Sequence, residues 1–284
     1  MHNDDAHIGT LLTRREALAL LGAGGAASVG FMLGDPGRAL AAGAGQSISG
    51  AGDTTLSCVV RPQATEGPYF VDRQLDRSDI RFDPTTGLAI AGVPLTLAFN
   101  LAQLAAGTCT PLAGAAVDVW QCDAAGVYSG VDDNDFGFHT VGQKFLRGFQ
   151  ATDRNGSAHF TTIYPGWYPG RSVHIHFKIR LMAGTGPYEF TSQLYFDEAL
   201  TDAVHALAPY SAKGRRTTLN QDDNDYRRDG GARLTLAPVP RGSGYAAAFN
   251  VGLDLTDTAT GGPDGFGSSG RGRGRGRGPR PPVG

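Results

Sequence analysis

Short runs in which apolar side chains recur at every second position, each closed by glycine, proline or asparagine, take the place of long helical stretches in this chain. Residues 94–101 (PLTLAFNL), 115–122 (AAVDVWQC), 173–180 (VHIHFKIR) and 188–196 (YEFTSQLYF) show the pattern best. A period of two marks a strand with one buried face, and no run with a 3.6-residue period is long enough to compete. The 42 glycines and 16 prolines among 284 residues supply the turns that such strands need. The expected fold is therefore mainly β, an antiparallel β-sandwich with few short helices, one of them within 197–207 (DEALTDAVHAL). Further strands are expected at 145–153 and 158–163, joined as a hairpin through Asn155-Gly156, and at 232–239 and 245–255.

Both ends depart from this pattern. Residues 1–41 hold the pair Arg14-Arg15, a Gly/Ala-rich apolar stretch and a cleavage candidate at Ala39-Leu40-Ala41, which together resemble a twin-arginine export signal. A periplasmic, secreted or cell-surface protein is expected, with no membrane span in its mature form. Residues 42–57 read as a linker, 58–255 as the folded domain and 256–284 as a disordered Gly/Arg-rich tail. Between residues 46 and 260 there are 22 acidic and 17 basic side chains, a net of −5, so a nucleic-acid partner is not expected. Three cysteines suit an oxidising compartment if two of them pair; Cys58 with Cys109 is the expected bridge, leaving Cys122 as a small buried hydrophobe.

The residues with chemistry cluster at 163–180 (IYPGWYPGRSVHIHFKIR). His174 and His176 share one parity of a strand and Ile175, Phe177 and Ile179 the other, so both imidazoles emerge on one face, where two neighbouring rings can share a metal. Tyr168 is framed by two Pro-Gly pairs just before that strand, and Tyr128 follows a turn at the end of the 115–122 run. Two phenolates with two neutral imidazoles suit a trivalent iron, whereas zinc favours more imidazole or thiolate. A rival use of the same sandwich is an adhesion module in which Trp120, Trp167 and Tyr168 form a stacking platform. The acidic stretches 131–137 (VDDNDFG) and 221–226 (QDDNDY) lack calcium-loop spacing and read as solvated turns.

Taken in order, TEGPYFVD (65–72), VDVWQCDAAGVYSG (117–130), LRGFQATDRNGSAHFTTIYPGWYPGR (146–171), HIHF (174–177) and TSQLYF (191–196) resemble the blocks of the intradiol ring-cleavage dioxygenases, over residues 58 to 255. The resemblance implies a transthyretin-like sandwich and a mononuclear non-haem Fe(III) held by Tyr128, Tyr168, His174 and His176. It also implies that Tyr168 acts in catalysis when substrate displaces it, that Arg171 stabilises negative charge derived from the substrate, and that Gln193 lines the pocket. The substrates would be O2 and a catechol-type ring, cleaved between its two hydroxylated carbons to a muconate-type diacid. Only residues 169–173 separate Tyr168 from His174, which is short for the better-known members and implies a more open pocket.

Overall fold

The computed structural model describes residues 58–72, 75–183 and 186–257. The expected signal (1–41), the linker (42–57) and all but the first two residues of the expected tail lie outside the described residues. The described strands are β1 (Pro94–Ala105), β2 (Thr108–Pro111), β3 (Ala116–Trp120), β4 (Asp132–Asp133), β5 (Phe138–His139), β6 (Arg147–Ala151), β7 (Ser157–Ile163), β8 (His174–Ala183), β9 (Gly186–Tyr195), β10 (Val239–Arg241) and β11 (Gly244–Leu253). Helices α1 (Glu198–His205) and α2 (Asn224–Arg228) and three 3-10 turns follow β9. Among the described residues, no helix is long and apolar enough to cross a membrane.

Two sheets make the expected sandwich. In the first, β1 pairs in parallel with β11, and β7 and β2 share its other edge in antiparallel register. The second runs β6-β3-β8-β9, antiparallel throughout. Between the sheets, the period-two pattern of β1 sends Leu95, Leu97, Phe99 and Leu101 inward, all buried. Phe99 lies 5.2 Å from the Phe177 ring of β8, 6.0 Å from Phe160 of β7 and 6.3 Å from Phe249 of β11, so one aromatic cluster ties both sheets together. Cys58 and Cys109 are bridged, with Cα atoms 5.8 Å apart, and Cys122 is free and buried.

Two expectations fail. The runs around Asn155-Gly156 are strands, but not a hairpin: β6 joins β3 in one sheet and β7 joins β1 in the other. Asp153 Oδ1 accepts the amides of Asn155 and Ser157, bending the chain so that it crosses between layers, and a Cβ on Gly156 would stand 2.2 Å from the Leu101 carbonyl oxygen. The glycine here serves a close backbone approach as well as a turn. Residues 232–238 are also not a strand, and only Val239 of that run enters one, as the first residue of β10. A 3-10 turn occupies Gly231–Leu234, and Thr235 makes an isolated bridge to Tyr195 at the end of β9.

Candidate metal centre

The outer face of the second sheet carries the chemistry. β8 presents His174, His176 and Lys178 on the face opposite Ile175, Phe177 and Ile179, and all six are buried. The two tyrosines reach this face from loops that interlock. Asp123 closes a turn after β3 by accepting the amides of Ala125 and Val127, and this turn delivers Tyr128. The Gly166 amide, in the segment that leads to Tyr168, donates to the Asp123 carbonyl at 3.1 Å. A Cβ on Gly126 would sit 2.0 Å from the Trp167 carbonyl oxygen, and one on Gly166 would sit 2.4 Å from that of Asp123. The backbones touch where side chains would part them, so close main-chain packing helps to place the two phenols relative to each other.

Four donor atoms converge. His174 Nε2 lies 3.0 Å from His176 Nε2, 3.3 Å from Tyr168 Oη and 3.4 Å from Tyr128 Oη. His174 Nδ1 lies 2.6 Å from the Ser172 carbonyl, to which it donates, so the Nε2 lone pair faces the centre. The His176 ring stacks on Trp120, with centroids 5.0 Å apart and planes 7° from parallel. Among the described residues there is no group of three or more His, Cys, Asp and Glu side chains that could hold a metal; the candidate donors are two imidazoles and two tyrosine oxygens.

Burial sets the protonation. It lowers His174 to about 3, with the Arg171 charge adding to the effect. Burial also holds His176 well below the usual imidazole range, helped by His174 and Arg171. Tyr128 and Tyr168 are pushed up by burial, and for Tyr168 the Arg171 charge opposes the shift. Without a cation the centre is two neutral imidazoles and two intact phenols. A hard cation reverses the balance for the phenols, because it stabilises the phenolate that burial disfavours. The inward lone pair of His174, the facing Nε2 of His176 and two ionisable oxygens fit Fe(III) by charge and donor type.

Beside the centre a cavity of about 440 Å³ is lined by Thr65, Gly67, Tyr69, Phe136, Tyr168 and Arg171, among others. Tyr168 is the one candidate ligand on its wall. The lead-in segment crosses the His strand closely, for a Cβ on Gly67 would meet His176 Cε1 at 3.3 Å. It is held there by Gln193 Nε2 donating to the Thr65 carbonyl and by the Lys178–Glu66 ion pair.

The structure brings all six sequence-derived residues together, with one change of place. Gln193 is fully buried and spends its amide on Thr65, Arg171 and Tyr195, so it supports the wall from behind instead of lining it. The adhesion alternative loses its platform, since Trp120, Trp167 and Tyr168 are 1%, 8% and 6% exposed. The reading of 221–226 as a solvated turn is corrected as well. Asp223 is fully buried and pairs with Arg171 at 3.0 Å, while Asp225 meets the same guanidinium at 3.2 Å. The other acidic stretch turns at the pocket rim, where Asp133 accepts the Tyr69 hydroxyl at 2.7 Å and Phe136 joins the wall. The Tyr164 hydroxyl is hydrogen-bonded to Thr201 Oγ1 at 2.7 Å.

A sandwich with phenols and imidazoles gathered on one outer sheet face defines a class, and comparison with known proteins agrees. A family model described as dioxygenase matches residues 65–217, more than half of the chain. A solved intradiol ring-cleavage dioxygenase from Tetranychus urticae superposes with a TM-score of 0.60 at 29% identity, covering 70% of this chain and 96% of that one. Chlorocatechol 1,2-dioxygenase of Pseudomonas putida is 29% identical over 119 residues, 34% of this chain and 42% of that protein. Catechol 1,2-dioxygenase of Candida albicans is 31% identical over 119 residues, 34% of this chain and 36% of that protein. The chain thus spans about two fifths of the length of the curated relatives it matches. It belongs to the intradiol ring-cleavage dioxygenase family.

Proposed function

We propose that this chain is an iron-dependent dioxygenase that opens a catechol-type ring between its two hydroxylated carbons. The observation that carries the reading is the convergence of Tyr128, Tyr168, His174 and His176, with three of the four donor atoms within 3.4 Å of His174 Nε2. Ferric iron held by these four would draw electron density from a bound catecholate and so make its ring reactive toward O2.

The chain's own groups do the rest. Tyr168 lines the cavity and its Oη lies 3.3 Å from His174 Nε2, which suits it to take a proton from one catechol hydroxyl on arrival and return it later. Arg171 reaches the same cavity with its charge fixed by two carboxylates, and it would stabilise negative charge as that charge spreads into the ring. Tyr69 and Phe136 give the ring apolar walls. Both atoms of O2 enter the product, a dicarboxylate, and no external reductant is consumed. We place the enzyme outside the cytoplasm on the strength of the Arg14-Arg15 leader.

Incubation of the iron-loaded protein with catechol and isotopically labelled O2 tests the reading. Both labels are expected in a ring-opened diacid. A product cleaved beside the two hydroxyls, or no ring opening across catechol, protocatechuate, hydroxyquinol and larger polyphenols, would overturn it.

A further inference from the structure

We propose that Asp223 is a positioning residue for this site: one buried carboxylate fixes the Arg171 guanidinium at the cavity and, through Ser172, the ring of His174. The inference rests on the dioxygenase reading for its kinetic consequences but not for its structural ones. Asp223 Oδ2 accepts from Arg171 Nε at 3.0 Å, from the Ser172 amide at 2.8 Å and from Ser172 Oγ at 3.0 Å. The Ser172 carbonyl, on the same residue, takes the proton of His174 Nδ1 at 2.6 Å. The carboxylate is therefore two hydrogen bonds from a candidate metal ligand and one from the group that faces the substrate.

Capping a helix does not by itself account for this placement. Asp223 Oδ1 does cap α2, accepting from the amides of Asp225 and Tyr226. Asp197 caps α1 by the same means, accepting from Leu200 N, and remains exposed. Asp223 is instead fully buried, and both of its oxygens accept, from five donors in all. An amide cannot replace it, because one end of an amide is itself a donor. Burial opposes the charge on Asp223, yet its pKa is lowered because Arg171 and the Ser172 amide outweigh that cost. Groups that orient ligands in this way are worth about 10–100-fold in metal affinity or activity.

The test compares the wild-type chain with Asp223→Asn, the nearest in shape. Should that variant fail to fold, Asp223→Ser, which keeps a helix cap but cannot span to Arg171, takes its place. Three quantities are read: kcat and KM for catechol, iron retained per chain after dialysis against a chelator, and the histidine ring nitrogen shifts of the metal-free protein. The expected result is a loss of about 10–100-fold in kcat with KM changed less, a fall in retained iron, and His174 shifts that move toward a mixture of tautomers. A folded variant whose kcat, retained iron and tautomer all match the wild type within about twofold overturns the proposal, as does one that only melts earlier. If the wild-type chain opens no catechol ring, the functional reading fails, while iron retention and the nitrogen shifts still decide the role of Asp223.

Discussion

The two faces of β8 are equally dry and differently held. Inward, Phe177 packs against Phe99 at 5.2 Å and Phe249 at 5.6 Å, between Ile175 and Ile179, none of them exposed. Outward, His174, His176 and Lys178 are covered by the loops of Tyr128 and Tyr168 and by the lead-in segment, and each polar atom depends on a particular partner. His176 Nδ1 is the exception, with no hydrogen-bond partner among the described residues. Apolar burial is non-directional and stabilises the fold, whereas burial of polar groups costs free energy that specific partners only partly return. The strand thus separates its tasks by parity: odd-numbered positions hold the sandwich together, and even-numbered ones build a site at some cost in stability.

Substitutions on the two faces should therefore fail in different ways. His176→Ala or Tyr128→Phe is expected to lower turnover by at least about 100-fold, the upper range for losing a group that only orients a ligand, with iron lost on dialysis and circular dichroism unchanged. Equal turnover in either would erase the distinction between the faces. Phe177→Ala should cost about 3–5 kcal/mol in denaturant unfolding, while its folded fraction still binds iron. Loss of iron without loss of stability there would invert the comparison. The faces should also differ in acid. In the unfolded chain a histidine takes up a proton below about pH 6.5, but burial keeps His174 neutral to about 3 and holds His176 well below the usual imidazole range. The metal-free protein should then lose stability as pH falls through that window, by up to about 1.4 kcal/mol per pH unit for each histidine. Unfolding of His176→Ala measured from pH 7 to 4 should show a shallower slope than wild type, and Phe177→Ala a parallel one.

Much of this was legible because it is local. Alternation along 173–180 gave both faces of β8, and the paired Pro-Gly frame marked Tyr168. What was hidden depends on distant partners. The stretches DDND at 132–135 and 222–225 are identical in sequence, yet at the equivalent second position Asp133 is half-buried at the Tyr69 hydroxyl and Asp223 is fully buried, because Arg171 and Ser172 meet it from 52 and 51 positions away. Nothing within either stretch distinguishes them. The Asn155-Gly156 turn misled for a related reason: its chemistry specifies a bend, and the sheet that each flanking strand joins is set by β1 and β3.

The central proposal is one ferric ion shared by two phenolic oxygens and two imidazoles. Metal analysis of the purified chain, read together with its visible absorption, tests this directly. The prediction is one iron per folded chain and a phenolate-to-iron charge-transfer band that weakens in Tyr128→Phe; a colourless protein that takes up no iron on reconstitution would contradict it.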